Sequence, residues 1–301
     1  MLVIEKQFQD ETEKQAFVLE CEAQLEQQLD AAIKQAVQTS CKIVTLSGPS
    51  CSGKTTTAHK LIKEFEEEGK TVGVVSFDDF FKPRALLART GAADTPPDFD
   101  SFAALDADCL AAVIDGILRG GPVDMPRYDF VTGTRAASER FCSADYDIIL
   151  FEGIQAVYPE VRAMFGDNPF YSLYISVAED CMVNGVFFDR RTVRLCRRLV
   201  RDEKRRNSPP EFTWFLWESV AANEEKSIIP YEHLVDAHIN SLFGYEMFMV
   251  RDKLCALLDR MPQDNPFYKE GQALKAKVAA LPSISIDYLP EKSLYREFVG
   301  A

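Results

Sequence analysis

Short apolar runs alternate along this chain with longer stretches in which apolar residues return every three or four positions. Five runs are continuous and rich in β-branched or aromatic residues: 42–47 (KIVTLS), 71–77 (TVGVVSF), 147–151 (DIILF), 172–177 (SLYISV) and 237–240 (AHIN). Runs this short, apolar on both faces, predict buried strands. Helical spacing marks the intervals between and around them. Phe17, Leu19, Leu25, Leu29, Ile33 and Val37 predict one or two amphipathic helices within residues 1–40. Residues 56–68 and 101–118 predict helices, and Met247, Phe248, Val250, Leu254, Leu257 and Leu258 predict another. Residues 82–99, with Pro83, Gly91, Pro96 and Pro97, read as a loop. Strands alternating with helices imply an α/β fold, a parallel sheet covered by helices on both faces. The pattern divides the chain into an N-terminal helical extension (1–40), a core (41–245) and a mostly helical C-terminal extension (246–301). That last segment offers a surface for self-association into a homo-oligomer or for the substrate side.

The most informative stretch joins the first strand to the helix after it. Gly48-Pro49-Ser50-Cys51-Ser52-Gly53-Lys54-Thr55 has a glycine, four free positions and then Gly-Lys-Thr, the pattern of a phosphate-binding P-loop. Gly48 and Gly53 allow the tight curl that turns consecutive N–H groups towards phosphate oxygens. The helix N-terminus adds further N–H groups and a partial positive charge. Lys54 is expected to reach the β- and γ-phosphates and the Thr55 hydroxyl to coordinate Mg²⁺. The loop residues Gly48, Ser50, Cys51, Ser52, Gly53, Lys54, Thr55 and Thr56 are therefore the expected nucleotide-binding set.

Composition narrows the remaining choices. The 301 residues are 47% hydrophobic, enough for a sizeable core, and the formal net charge of −13 argues against a nucleic-acid surface. Eight cysteines are scattered with no CxxC spacing, which suggests neither a zinc site nor a redox dithiol. With no signal-like segment and no apolar run near 18 residues, the expectation is a cytoplasmic protein that does not enter a membrane.

Three further features bear on chemistry. The second strand ends in Asp78-Asp79, and carboxylates at the carboxyl end of a strand beside a phosphate loop stand where open α/β sheets bind ligands. A helix cap or a solvated loop charge is the other reading for either member of the pair. The third strand ends in Glu152, the form of a Walker B element supporting Mg²⁺. An arginine-rich run occupies residues 190–206, where Arg190, Arg194, Arg197 and Arg201 share one helical face. A charge run is ordinarily a solvated, salt-bridged face. Like charges on one face repel by ~0.2–0.5 kcal/mol per pair, so a lid closing over a triphosphate is favoured here. Aromatic and charged residues in 125–130 (MPRYDF), followed by Arg135, suit either core packing or a planar ligand.

Six motifs in order resemble the uridine kinase / phosphoribulokinase family of P-loop kinases, most closely its uridine–cytidine kinase branch. They are GPSCSGKTT at the loop, SFDDFFK at 76–82, PRYDF at 126–130, FEGI at 151–154, TVRLCRRLVRD at 192–202 and IIPYEHLVDAHIN at 228–240. The resemblance spans residues 42–240. It implies strand order 2-3-1-4-5, ATP or GTP as phosphate donor, Mg²⁺, and a nucleoside acceptor. It further implies that Asp78 is the general base for the 5′-hydroxyl, close to the metal with Thr55 and Glu152. By the same resemblance Asp100 bonds the ribose hydroxyls, Tyr128 and Phe130 line the base pocket, and Arg135 lies on the substrate side. Arg194 stands near the nucleoside, while Arg197, Arg198 and Arg201 form the lid over the phosphates. The chain departs from the family at Gly133-Thr134, where pyrimidine-specific members present a histidine, and at Phe81, where a tyrosine is usual. The segment around Asp100 is also reduced, so base choice does not carry over. Two alternatives stand beside a nucleoside kinase. One is a kinase acting on another alcohol such as a pentose phosphate. The other is a nucleotide-dependent switch ATPase, although neither an NKxD nor an LSGGQ signature is present.

Overall fold

The computed structural model describes residues 1–87 and 99–300. Most of the loop expected over 82–99, including Gly91, Pro96 and Pro97, lies outside the described residues. The five apolar runs form one parallel sheet: β1 (Ile43–Ser47), β2 (Val72–Ser76), β3 (Ile148–Glu152), β4 (Phe170–Ser176) and β5 (Ala237–Asn240). Their spatial order is 2-3-1-4-5, as the family resemblance implied. β1 is central, pairing with β3 through Leu46 opposite Glu152 and with β4 through Ser47 opposite Tyr174. This register brings the end of β1 level with the Glu152 carboxylate at the end of β3.

Alternate residues of each strand feed two separate cores. Val44, Leu46, Leu150, Leu173 and Ile175 pack on one side with α1 (Glu11–Gln38) and α2 (Lys54–Glu67). Ile43, Ile149, Phe151 and Tyr174 pack on the other with α3 (Ala107–Leu118). The helix expected over 101–118 begins later than its periodicity suggested. Asp106 caps it by accepting from the Cys109 N–H, and residues 102–104 form a separate 3-10 turn.

The arginine-rich run is α4 (Arg190–Arg206), followed by α5 (Pro210–Ser227), α6 (Glu246–Leu258) and α7 (Tyr268–Ala279). Both terminal segments share the first core: Phe17, Val18 and Leu29 of α1, Phe248 and Leu254 of α6, and Phe298 and Val299 near the end. Hydrophobic periodicity did not announce the small sheet that ties down the N-terminus. Leu2–Ile4 pairs in parallel with Cys181–Val183, which turns back on Val186–Phe188. Asn184 and Gly185 make that turn at φ 47° and 76°, the left-handed pair a two-residue hairpin needs. Among the described residues no helix is long and apolar enough to cross a membrane.

If α1 is part of the core rather than an appended module, its apolar face supports the whole domain. Leu29 is fully buried. Leu29→Ala should therefore lower the free energy of unfolding by about 2–5 kcal/mol within one cooperative transition, read by urea denaturation. An early transition confined to part of the signal would instead mark α1 as separate.

Candidate active site

β1 ends at Ser47 and α2 begins at Lys54, so the loop between them stands at the carboxyl edge of the sheet. Its first glycine is forced by crowding: a Cβ on Gly48 would lie 2.2 Å from the Ile175 carbonyl of β4. Cys51 lies at φ 61°, a left-handed conformation uncommon outside glycine, and is held there by buried partners. The Ser50 carbonyl accepts from Arg194 Nε at 3.1 Å, and the Cys51 carbonyl accepts from Arg197 Nη1 at 3.2 Å. In a trans peptide the N–H points opposite to the preceding carbonyl. Anchoring these two carbonyls on arginines behind the loop turns the N–H groups of Cys51 and Ser52 towards the other side. Lys54 donates to the Gly48 and Pro49 carbonyls at 2.7 and 3.2 Å. Burial pulls its ammonium below the ordinary lysine value, while Glu152, Asp78, Glu297 and Asp100 act in the opposite direction.

A cavity of about 660 Å³ opens over this loop. Its lining includes residues 50–55 together with Arg198, Arg201 and Arg206 of α4. Asp202, almost fully buried, holds those three arginines with carboxylate contacts of 3.3, 3.0 and 3.5 Å. Arg198 also donates to Ser50 Oγ at 3.2 Å. Asp78, Asp100, Glu152 and the aromatic rings of Phe81, Phe99 and Phe130 line the same cavity. These rings pack edge-to-face, Phe81 lying 5.3 Å from Phe99 and 6.1 Å from Phe130. Leu216, Ser219 and Val220 of α5 close one side.

The two carboxylates left open by sequence now separate. Asp79 bonds to Arg127 Nη1 at 2.8 Å and to the Tyr128 N–H at 3.1 Å, so it braces the segment carrying the aromatic residues. Asp78 faces the cavity. Water reaches it through the cavity, yet protein surrounds it closely enough that desolvation, reinforced by the Glu152 charge, pushes its carboxyl up to about 6. Two crowded carboxylates beside the Thr55 hydroxyl fit a divalent cation. Among the described residues no cluster of three or more His, Cys, Asp or Glu could hold a metal by itself. Mg²⁺ ordinarily takes one or two carboxylates plus phosphate oxygens, so this smaller set suits it.

Several residues expected in the site lie elsewhere. Arg194 and Arg197 are buried behind the loop, not poised over the cavity. Arg194 pairs with Glu224, with one Nη2–Oε2 contact of 2.7 Å, and stacks over Trp217. Arg197 pairs with Glu246 at 2.7 and 2.9 Å. The repulsion invoked for a lid is relieved at these two positions by protein carboxylates distant in sequence. Arg135 bonds to Asp106 at 2.8 Å and does not line the cavity. Tyr128 sits one layer back, 5.1 Å from Phe130, with its hydroxyl unpartnered among the described residues. Thr56 donates to Glu297 at 2.9 Å. Residues that sequence reasoning missed also line the cavity: Arg84, Leu216, Ser219, Val220 and Glu297. Of these, none stands in a recognisable motif.

A parallel sheet carrying a P-loop, an arginine helix and acidic residues at the strand ends defines a P-loop phosphotransferase. The Phosphoribulokinase / Uridine kinase family model matches residues 43–242, two-thirds of the chain, and the chain belongs to that family. A uridine kinase from Deinococcus deserti is 30% identical over 170 residues, 56% of this chain and 72% of that one. Uridine-cytidine kinase C of Dictyostelium discoideum is 26% identical over 179 residues, covering 60% of this chain and 34% of its own. In fold, a candidate fructose transport system kinase from Silicibacter superposes with a TM-score of 0.50 at 17% identity, covering 72% of this chain and 98% of that one.

Two predictions follow from the geometry. Glu246→Gln keeps the shape but leaves Arg197 buried without its counter-charge. It should cost about 3–5 kcal/mol of stability in urea unfolding and loosen the loop through the Cys51 carbonyl. For Asp78 the sign is fixed by its raised value. The folded state binds the proton more tightly than the unfolded chain, whose ordinary value is 3.8. Asp78 therefore opposes folding increasingly as pH rises from 3.8 through about 6, and fully above that. Asp78→Asn should raise the melting temperature at pH 8 and leave it nearly unchanged at pH 4, as followed by thermal melts.

Proposed function

We propose that this protein transfers the terminal phosphoryl group of ATP or GTP to the 5′-hydroxyl of a uridine- or cytidine-type nucleoside. The single observation carrying this reading is that one cavity joins the phosphate loop and its cations to strand-end acids and aromatic rings. Lys54, Arg198, Arg201 and Arg206 share it with Asp78, Asp100, Glu152 and the rings of Phe81, Phe99 and Phe130. A polyphosphate fits the cations beside the loop, and a ring-bearing alcohol fits the aromatic segment. The catalytic unit is residues 41–245, braced by the extensions 1–40 and 246–301.

In this reading the loop N–H groups, Lys54 and the α4 arginines hold the phosphates and take up charge on the equatorial oxygens. Asp78 accepts the proton of the attacking hydroxyl. The new P–O bond forms on the acceptor oxygen as the bond to the β-phosphate oxygen breaks, giving a nucleoside monophosphate and a nucleoside diphosphate. Asp100 orients the sugar hydroxyls, and Phe130, with Tyr128 behind it, packs on the base. Thr55, Asp78 and Glu152 would hold Mg²⁺, which neutralises phosphate charge when bound. Arg194 and Arg197 act one layer back, fixing the loop that holds the nucleotide. A pentose phosphate acceptor is the second reading, and the cation of Arg84 on the acceptor side favours it.

The test is ADP release from Mg·ATP with nucleosides, pentose phosphates or no acceptor. A selective rise with one nucleoside is expected; a rise with a pentose phosphate alone would favour the second reading. Equal release in every case would sink both and indicate a switch ATPase. With the true acceptor and Mg·ATP, kcat/KM should fall as pH drops through the range where Asp78 takes up its proton, which lies below about 6 because bound Mg²⁺ favours the carboxylate. Asp78→Asn should abolish transfer while sparing nucleotide binding, whereas Lys54→Ala should weaken both.

A further inference from the structure

The C-terminal segment reaches into the loop end of the cavity, far from any motif. Residues 293–299 are held on several sides. Ser293 Oγ donates to Glu22 of α1 at 2.6 Å, and the Val299 carbonyl accepts from Lys253 of α6 at 2.8 Å. The Phe298 ring lies under the Arg197 guanidinium at 4.7 Å. Leu294 presses on the loop so closely that a Cβ on Gly53, at φ 99°, would meet its Cδ2 at 2.6 Å. Leu294, Tyr295, Phe298 and Val299 are all buried.

Between these anchors stands Glu297. Its Oε2 accepts from the Thr56 hydroxyl at 2.9 Å, and its side chain lines the cavity beside Lys54, Arg201 and Arg206. Thr56 belongs to the first turn of α2, whose unpaired N–H groups and partial positive charge suit an anion. A surface carboxylate could swing into solvent, but here buried neighbours on both sides fix the backbone that carries it. The chain thus supplies a further negative charge beside the loop, where both Lys54 and Arg201 feel it.

We propose that Glu297 is a specificity-determining residue of the donor site, disfavouring bare polyphosphate relative to nucleotide whose charge is neutralised by a divalent cation. This rests on the reading of the loop end as the donor site. A unit charge a few ångströms from each phosphate acts in proportion to the net phosphate charge. A divalent cation removes two charges from the ligand, so the penalty on the complexed form is smaller. Glu297 also sets the distance of closest approach at Thr56, because the carboxylate already occupies that hydroxyl.

The test compares wild type, Glu297→Gln and Glu297→Lys by isothermal titration with ADP, with and without Mg²⁺, after thermal melts confirm folding. Glu297→Gln keeps the side-chain shape and an oxygen for Thr56. Without metal it should bind ADP about five- to tenfold tighter than wild type, and with Mg²⁺ about two- to threefold tighter. Glu297→Lys should move both values further in the same direction, so the order does not hang on one variant. Unchanged affinity in both variants overturns the proposal. Weaker binding in Glu297→Gln overturns it too, since the carboxylate would then be accepting a hydrogen bond from the nucleotide. If wild type binds no ADP under either condition, the donor-site reading itself fails, and the role of Glu297 fails with it.

Discussion

Arg197 is the point at which this structure is tied together. Its guanidinium is fully buried, and its donors reach four places: the Cys51 carbonyl in the loop, Ser241 beyond β5, Glu246 at the start of α6, and the face of Phe298 near the chain end. A charge taken out of water is tolerated only when its counter-charge and hydrogen bonds are all supplied. Phosphate loop, sheet edge and C-terminal segment must therefore arrive together. Arg194 repeats the arrangement one turn earlier with Glu224 and the Ser50 carbonyl. The loop is consequently shaped from behind, by two ion pairs that never face the cavity.

The same helix does two jobs because its arginines are partnered differently. Arg194 and Arg197 each have their own deep glutamate, so their charge is spent inside the protein. Arg198, Arg201 and Arg206 share the single carboxylate of Asp202. That leaves a surplus of positive charge at the cavity wall, where phosphate oxygens can use it. Asp78 lines the same cavity, where burial and the Glu152 charge hold its proton up to about 6.

Much of this was legible in the sequence wherever chemistry is local. The P-loop, the five strands and the acid at the end of β3 are each written in a few consecutive residues whose spacing has one structural meaning. The order of the strands followed from the family resemblance, since nothing in a strand's own residues says which neighbour it takes. The arginine helix was legible as a helix but not as two populations. Glu224 and Glu246 lie 30 and 49 residues from their partners, and either glutamate reads as an ordinary surface acid. The Asn184-Gly185 turn did carry a local signal, but its flanking strands are only three residues long, too short for their alternation to stand out. Glu297 carried none, because its significance comes entirely from the anchoring of Leu294 and Phe298.

The acceptor end shows the same limit more sharply. Sequence registers at Gly133 only that a side chain is missing. In the fold Arg84 lies across that position: its N–H donates to the Gly133 carbonyl at 2.8 Å, and Nη2 donates to the Phe130 carbonyl at 2.6 Å. A Cβ on Gly133, which sits at φ 69°, would stand about 3 Å from the Arg84 side chain. Glycine is thus the residue that lets an arginine lie against the aromatic segment. The missing side chain at 133 and the cation at 84 are one feature, separated by 49 positions in the chain and joined only when Phe81, Phe99 and Phe130 close the pocket. Which alcohol that pocket accepts depends on the balance between those rings and the Arg84 charge, a balance that belongs to the folded site and to no segment of the sequence alone.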